Sequence, residues 1–129
     1  MRNLRQTISD VLLPRVDRPG QYIGLEVNAL NKDVETAEVS VAIAFPDAYT
    51  IGISHLGGQV LYHLLNRLPG IACDRSYCPE PDAETVMREH GIPLFGWESR
   101  VALADFDLLG FSLPYEVCAT NVLTMLDLA

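Results

Sequence analysis

The hydrophobic pattern is clearest between residues 38 and 68, where it predicts a strand, a loop and a helix. Residues 39–45 form a β-branched and apolar run closed by Pro46, as expected for a buried strand of a parallel sheet. One face of a helix then follows, formed by Leu56, Val60, Leu61, Leu64, Leu65 and Leu68. Ser54 is the expected N-cap of this helix and Gly70 its stop. Because ligands of open α/β sheets bind beyond the strand ends, residues 47–58 are the expected ligand loop.

Weaker patterns precede this unit. Residues 4–13 predict a short helix ended by Pro14. A turn signal at residues 16–20 leads into residues 21–30, which alternate weakly enough to form a strand, and residues 31–33 then turn into the central strand. The first 36 residues are therefore predicted to be a helix and β-hairpin extension.

Strand and helix patterns alternate through the rest of the chain. Strands are predicted at residues 71–77 and 106–113, with a short one at residues 92–97. A helix is expected from Asp82 to His90, with Gly91 as its stop. This alternation predicts an α/β fold with a mostly parallel sheet and flanking helices.

The last predicted helix begins near residue 117 and turns four apolar residues inward: Val117, Val122, Met125 and Leu126. Its pattern runs to Ala129 without a cap, a glycine or a following strand. Three parallel strands make a small sheet, so a truncated domain is expected. Either further strands lie in the parent chain, or a second copy covers the open edge as a homodimer.

Composition narrows the classes of function. The 129 residues are 49% apolar and 20% charged, which suits one globular unit. With 9 basic and 17 acidic residues and a net charge of −8, a nucleic acid partner is not expected, because phosphates are bound by Lys and Arg. The chain has no apolar run of about 20 residues and no signal core, which predicts a cytoplasmic protein without a membrane span. Its three cysteines suit a reducing compartment.

Several motifs occur in an order typical of one family. They are QYIGLEVN (residues 21–28), AFPD (44–47), IGISHLG (51–57), HGIPLF (90–95), DFD (105–107), GFSL (110–113) and the stretch from 121 to 129. Together they resemble the N-terminal part of a family of radical SAM proteins, whose first domain is similar to cobalamin-binding domains. The resemblance implies a Rossmann-like (flavodoxin-like) domain at residues 37–129, followed outside this chain by a radical SAM barrel.

The resemblance also implies how the chemistry is divided. A radical SAM barrel holds a 4Fe-4S cluster with a C-x-x-x-C-x-x-C run, and the cluster binds S-adenosylmethionine. The spacing of Cys73, Cys78 and Cys118 does not match that run, so we expect buried or idle thiols here. The cluster and S-adenosylmethionine are expected in the parent chain only, the barrel is the expected partner, and this segment alone is expected to have no catalytic activity.

Cobalamin is the cofactor that the resemblance implies for this segment. Cobalamin domains carry a D-x-H-x-x-G loop and an S-x-L element. His55 and Gly58 match the loop, but Ile53 replaces its Asp, while Ser112 matches the element and Pro114 replaces its Leu. The candidate cofactor-binding residues are Ser54, His55, Gly57, Gly58, Ser112 and Tyr115. No metal ligand is predicted apart from His55, a weak candidate for cobalt because the orienting carboxylate is missing.

Structural roles compete with these assignments. His55 can lie at the helix N-terminus with its ring hydrogen-bonded to the loop backbone, and Gly57 and Gly58 can serve close packing of the helix on the sheet. Ser112 and Tyr115 can cap the last helix. The alternative function is therefore a scaffold or protein-interaction domain that kept the fold and lost the cofactor. Receiver and flavodoxin functions are set aside, because the acidic pair and the phosphate loop that they need are absent.

Overall fold

A three-stranded parallel sheet forms the centre of the protein. The computed structural model describes residues 3–129. Its strands are β1 (Val39–Phe45), β2 (Ile71–Tyr77) and β3 (Leu108–Phe111), in the order β2-β1-β3. Both strand pairs are parallel, which confirms the predicted α/β fold with a parallel sheet.

Helices connect the strands and cover both faces of the sheet. The helices are α1 (Leu4–Thr7), α2 (Tyr49–Gly52), α3 (Leu56–Arg67), α4 (Pro81–His90) and α5 (Ala119–Leu128). α3 connects β1 to β2 and packs on a small cluster that includes Val41, Ile43 and Cys73. The larger core lies on the opposite face and contains buried residues of α4 and α5.

The N-terminal helix is confirmed, and it packs into the main core. α1 continues as a π-helix (Ile8–Leu12) and a 3₁₀ turn (Leu13–Arg15). Ile8 and Leu12 are fully buried in the same cluster as the side chains of α4. The division of the chain near residue 36 stays a prediction.

The predicted β-hairpin is wrong. Only a 3₁₀ turn (Pro19–Tyr22) forms in this region, and residues 23–38 contain no strand. Backbone groups of the predicted strand at residues 21–30 bond to distant side chains instead: Trp97 Nε1–H donates to the Gln21 carbonyl, and the Leu30 amide donates to the Tyr62 hydroxyl. A segment with weak alternation cannot join a β-sheet when its backbone groups already form hydrogen bonds elsewhere.

The two edges of the sheet differ. The Trp97 amide donates to the carbonyl of Arg75 on β2, so the segment after α4 lies along that edge. Within this segment the predicted strand is reduced to one antiparallel bridge between Phe95 and Ala102. β3 is shorter and more exposed than predicted, and no strand of the described chain pairs with its outer edge.

α3 turns its polar face to the sheet and its apolar face outward. This is the reverse of the usual arrangement, in which the apolar face of a helix covers the core. Tyr62 and Asn66 are its buried residues, and Leu65 is half-buried. The outer stripe of α3, between 47% and 71% exposed, consists of Leu56, Val60, Leu61, Leu64 and Leu68. The inward face is polar because Asn66 bonds both to the amide and to the carbonyl of Cys73, and Tyr62 bonds to Glu98.

The later helices follow their predictions more closely. α4 ends at Gly91, whose φ of +60° is left-handed as the stop requires, but the helix begins at Pro81 and is preceded by Glu80 rather than capped by Asp82. In α5, Met125 is buried and Val122 is half-buried, as predicted. Val117 and Leu126 are exposed instead of inward.

Two features are absent from the described residues. Between residues 3 and 129 we find no helix that combines the length and the apolar character needed to cross a membrane. That same part of the chain holds no group of three or more His, Cys, Asp or Glu side chains placed to bind a metal ion.

Candidate functional site

The predicted ligand loop runs from β1 to α3 and contains α2. Gly52 in α2 faces the rings of Tyr77 and Phe45, so closely that an added Cβ would come within 2.5–2.8 Å of them. Tyr49 packs edge-on against Tyr77 and hydrogen-bonds to Glu26. The loop is therefore held against β2, and only a residue without a side chain fits at position 52. The sequence motif contained Gly52, but its role was not predicted.

His55, rather than Ser54, caps α3. The His55 Nδ1 accepts a hydrogen bond from the Gly58 amide at 3.2 Å, and the ring packs on Phe45 with 4.9 Å between ring centroids. The Ser54 hydroxyl donates to the Ile51 carbonyl and contributes no cap. His55 thus has the structural role that competed with cobalt ligation in the sequence.

This hydrogen bond bears on whether cobalamin fits. Because Nδ1 accepts the Gly58 amide, the neutral imidazole carries its proton on Nε2 and has no lone pair there for a metal. Among residues 3–129, no carboxylate hydrogen-bonds to His55 in the manner that usually orients a ligating histidine. As arranged, His55 does not fit the role of a cobalt ligand.

Two of the six predicted residues, Gly58 and Ser112, come together at the carboxyl ends of the strands. They border a narrow recess of about 10 Å³ at the ends of β1 and β2, which is room for one water molecule at most. Its lining residues are Ile43, Phe45, Gly52, Gly58, Gln59, Arg75, Tyr77 and Ser112. Ser54, His55, Gly57 and Tyr115 do not line the recess.

Arg75 is the charged residue of this recess, and sequence reasoning missed it. The residue is only 4% exposed, its Nη2 donates to Glu98 Oε1 at 2.6 Å, and its guanidinium lies 4.1 Å from the centroid of the Tyr62 ring. Burial lowers the pKa of Arg75, but the hydrogen bond that Arg75 donates to Glu98, together with the nearby charges of Tyr77, Glu98 and Tyr62, raises it above its ordinary value. The Nη1 atom is buried and has no hydrogen-bond partner among the described residues.

Asp74 supports this arrangement from the other face of β2. Its carboxylate accepts hydrogen bonds from the amides of Arg75, Glu98 and Ser99 and from the Ser99 hydroxyl. Burial raises the pKa of Asp74, and the hydrogen bonds from Ser99 oppose that effect. Asp74 therefore fixes the segment that carries Glu98, which in turn holds Arg75.

Tyr115 belongs to a second cluster, near the start of α5. Its hydroxyl donates to Asp47 Oδ2 at 3.3 Å, and the thiol of Cys118 lies 3.9 Å from the same oxygen. The Cys78 amide donates to the Asp47 carbonyl. Burial raises the pKa of Cys78 to about 11, so this thiol stays protonated at neutral pH and is a poor nucleophile.

Comparison with known proteins identifies the family. The family model described as radical SAM proteins, N-terminal, matches residues 57–129, which is more than half of the chain and includes Gly58, Arg75 and Ser112. Comparisons with curated proteins and with solved structures give no significant match. The parallel sheet, the recess at its strand ends and this match over most of the sheet lead to one conclusion: the chain belongs to the family formed by the N-terminal part of radical SAM proteins.

Proposed function

We propose that this chain is a non-catalytic docking module that binds the radical SAM part of its own parent protein. In this proposal the 4Fe-4S cluster and S-adenosylmethionine belong to that other part, and the reaction takes place there. The module holds its partner through the outer stripe of α3. The family match supports the nature of the partner, since the family is defined as the N-terminal part of larger radical SAM proteins.

The observation that carries the proposal is the outer stripe itself. Its five residues lie on the side of α3 that faces away from Tyr62 and Asn66, so none of them is needed to hold the helix on the sheet. A contiguous apolar surface of this kind is typical of a protein interface. Burying one leucine of the stripe against a partner would contribute about 1.5–3 kcal/mol.

The distribution of charge also favours the outer stripe of α3 as the docking surface. The chain has a net charge of −8, yet α3 contains no acidic residue, and its basic side chains are His63 and Arg67. A partner can therefore approach the outer stripe without placing its own carboxylates opposite those of α3. Like charges at the centre of an interface would cost affinity.

The test uses the full-length parent protein and two matched double variants. Leu61→Glu with Leu64→Glu places two charges in the outer stripe, while Leu25→Glu with Val27→Glu places them at residues that are 82% and 106% exposed elsewhere. We expect protease cleavage between the module and the rest of the chain to become about tenfold faster, or more, in the stripe variant only. Equal cleavage of the two variants would refute the proposal, as would a stripe variant that only dissociates a homodimer of the module.

Cobalamin binding is a second candidate, favoured by one observation: Gly58 and Ser112, matched to two different cobalamin elements, line the same recess. Any such binding would proceed without a cobalt ligand from His55. The full-length parent would be mixed with hydroxocobalamin and desalted, and the visible absorbance of the corrin measured. Retained colour that is lost in Gly58→Leu but not in Gly20→Leu is the expected result, and absence of colour would end this candidate.

A further inference from the structure

We propose that the cavity between the turn at residues 17–22 and the start of α4 binds an organic cation, through an ammonium or a guanidinium group, with Gln21 Oε1 as one of its hydrogen-bond acceptors. The proposal does not depend on the docking function. α4 packs into the main core, on the face of the sheet opposite to α3, so the cavity and the outer stripe are separate surfaces.

Two hydrogen bonds hold the walls of this cavity together. The Asp17 amide donates to Asp82 Oδ2 at 2.7 Å, and the Glu80 amide donates to the Tyr22 hydroxyl at 3.1 Å. All four residues line the cavity, whose volume of about 380 Å³ is within the range of small-molecule sites. The site is therefore formed without a ligand, and a compact organic group fits in it.

Gln21 supplies the observation that points to a ligand. The residue lines the cavity, it is only 8% exposed, and its Oε1 atom is buried without a hydrogen-bond partner among residues 3–129. Its main-chain carbonyl, in contrast, accepts a hydrogen bond from Trp97 Nε1. A buried acceptor that has no donor raises the free energy of the protein, and a ligand N–H group that bonds to it removes that cost. The orphaned oxygen therefore favours a ligand that carries a donor.

The carboxylates of the cavity decide the charge of that ligand. The lining contains three acidic residues, Asp17, Glu80 and Asp82, and one basic residue, Arg18. Asp82 already accepts hydrogen bonds from two amides, but Glu80 lies at the N-cap position of α4 without using its side chain as a cap. Neither Asp17 nor Glu80 belongs to an ion pair among the described residues. Two carboxylates are therefore available for a cationic donor, which forms the stronger kind of hydrogen bond with them.

A metal ion is a poorer fit than an organic cation. No group of three or more His, Cys, Asp or Glu side chains between residues 3 and 129 is placed to bind one. An ammonium or guanidinium group carries several N–H donors, so it can bond to Gln21 Oε1 and to a carboxylate at the same time. Arg18 also limits the ligand, because a second positive charge near it would be repelled. A ligand with one cationic group is therefore expected.

The test is a titration of the ¹⁵N-labelled chain with butylammonium chloride and with butylguanidinium chloride, followed by amide chemical shifts. Tetramethylammonium chloride at equal ionic strength is the control, because it has the same charge and no N–H donor. We expect saturable shifts at the amides of Asp17, Gln21 and Glu80 with at least one probe and none with the control. Saturation by one probe alone would assign the site to that group, and saturation by both would show that the site accepts either.

Gln21→Met tests the orphaned oxygen, because methionine keeps the length of the side chain and removes the amide. We expect the dissociation constant of the binding probe to rise about tenfold or more. Urea unfolding should show no loss of stability, since the replaced oxygen has no partner among the described residues. This combination separates a ligand-binding role of Gln21 from a structural one, because loss of a structural hydrogen bond would lower stability.

Glu80→Gln tests the carboxylate, and Glu89→Gln, on an exposed position of the same helix, is the matched control for the change in net charge. We expect binding to weaken by about tenfold or more in Glu80→Gln only. The proposal is overturned if neither probe gives saturable shifts, if tetramethylammonium reproduces them, or if Gln21→Met binds the probes as the wild type does. Equal weakening in Glu80→Gln and Glu89→Gln would also overturn it, since the attraction would then be that of the net charge.

Discussion

Arg75 and Glu98 form an ion pair of 2.6 Å in which each side chain is only 5% exposed. Arg75 belongs to β2, and Glu98 lies in the segment that follows α4. The Tyr62 hydroxyl of α3 donates to the second oxygen of Glu98 at 2.7 Å, so one carboxylate joins the sheet, a loop and a helix. The pair holds the guanidinium at the recess.

Removing the carboxylate should therefore destabilise the whole fold. Glu98→Ala leaves Arg75 charged and buried, and we expect the free energy of unfolding to fall by about 3–5 kcal/mol. Urea unfolding followed by circular dichroism measures this loss. Glu84→Ala breaks the surface pair with Arg88 and should leave the midpoint unchanged within error. If both variants unfold at the same urea concentration, the buried pair has no structural importance.

Asn66 should be as important as a core residue. Its side chain bonds to the amide and the carbonyl of Cys73, in the manner of a neighbouring strand. Asn66→Ala leaves both groups buried without partners, and we expect a loss of at least about 2 kcal/mol in unfolding free energy. Arg67→Ala, one residue further on the exposed side, is the control and should unfold like the wild type. A loss confined to the control would contradict the described orientation of α3.

The capping role of His55 predicts which substitutions it tolerates. His55→Ala removes the acceptor of the Gly58 amide and should cost about 1 kcal/mol. His55→Asn supplies an oxygen acceptor at a similar position and should recover most of that stability. Thermal unfolding of the three proteins measures the difference. Equal losses in both variants would show that the ring contact with Phe45, and not the cap, stabilises this turn.

The buried phenols predict a loss of stability at alkaline pH. Burial raises the pKa of Tyr22 and of Tyr77 to about 12, from 10 in an exposed phenol. Between these pH values the folded state keeps protons that the unfolded chain releases, so stability falls as pH rises from about 10 to about 12. Tyr77→Phe should remove the contribution of one proton from the slope of unfolding free energy against pH, and it should change that free energy little at neutral pH. Unfolding midpoints at several pH values measure the slope, and an unchanged slope would contradict the prediction.

Local signals in the sequence predicted much of the architecture. The apolar run of β1 and the proline after it marked a strand, and Gly91 marked the end of α4, because each signal acts on its own few residues. Alternation of strands and helices was enough for a parallel sheet, since parallel neighbours need a crossover between them. Gly58 and Ser112 were candidates because the resemblance to cobalamin-binding domains implied them.

The predictions that were wrong concern segments whose structure depends on residues far away in the sequence. The segment at residues 21–30 lost its predicted strand because Trp97 and Tyr62 bind its backbone. The polar side of α3 faces the sheet because Asn66 and Tyr62 find partners there, so the apolar residues of the helix were left outside. The spacing of apolar residues cannot reveal that the polar face of a helix packs on the sheet. It describes the helix alone and not the surface against which the helix packs.

The sequence by itself determined that this is an α/β protein with parallel strands, a loop before α3 and no cysteine run for an iron–sulfur cluster. Only the tertiary structure decided that His55 is a cap, that Arg75 is buried beside the recess with one unpartnered nitrogen, and that the outer stripe of α3 is exposed. The physical reason is the same in each case: a hydrogen bond or an ion pair depends on which residues meet, and residues such as Arg75 and Glu98 meet only after the chain has folded.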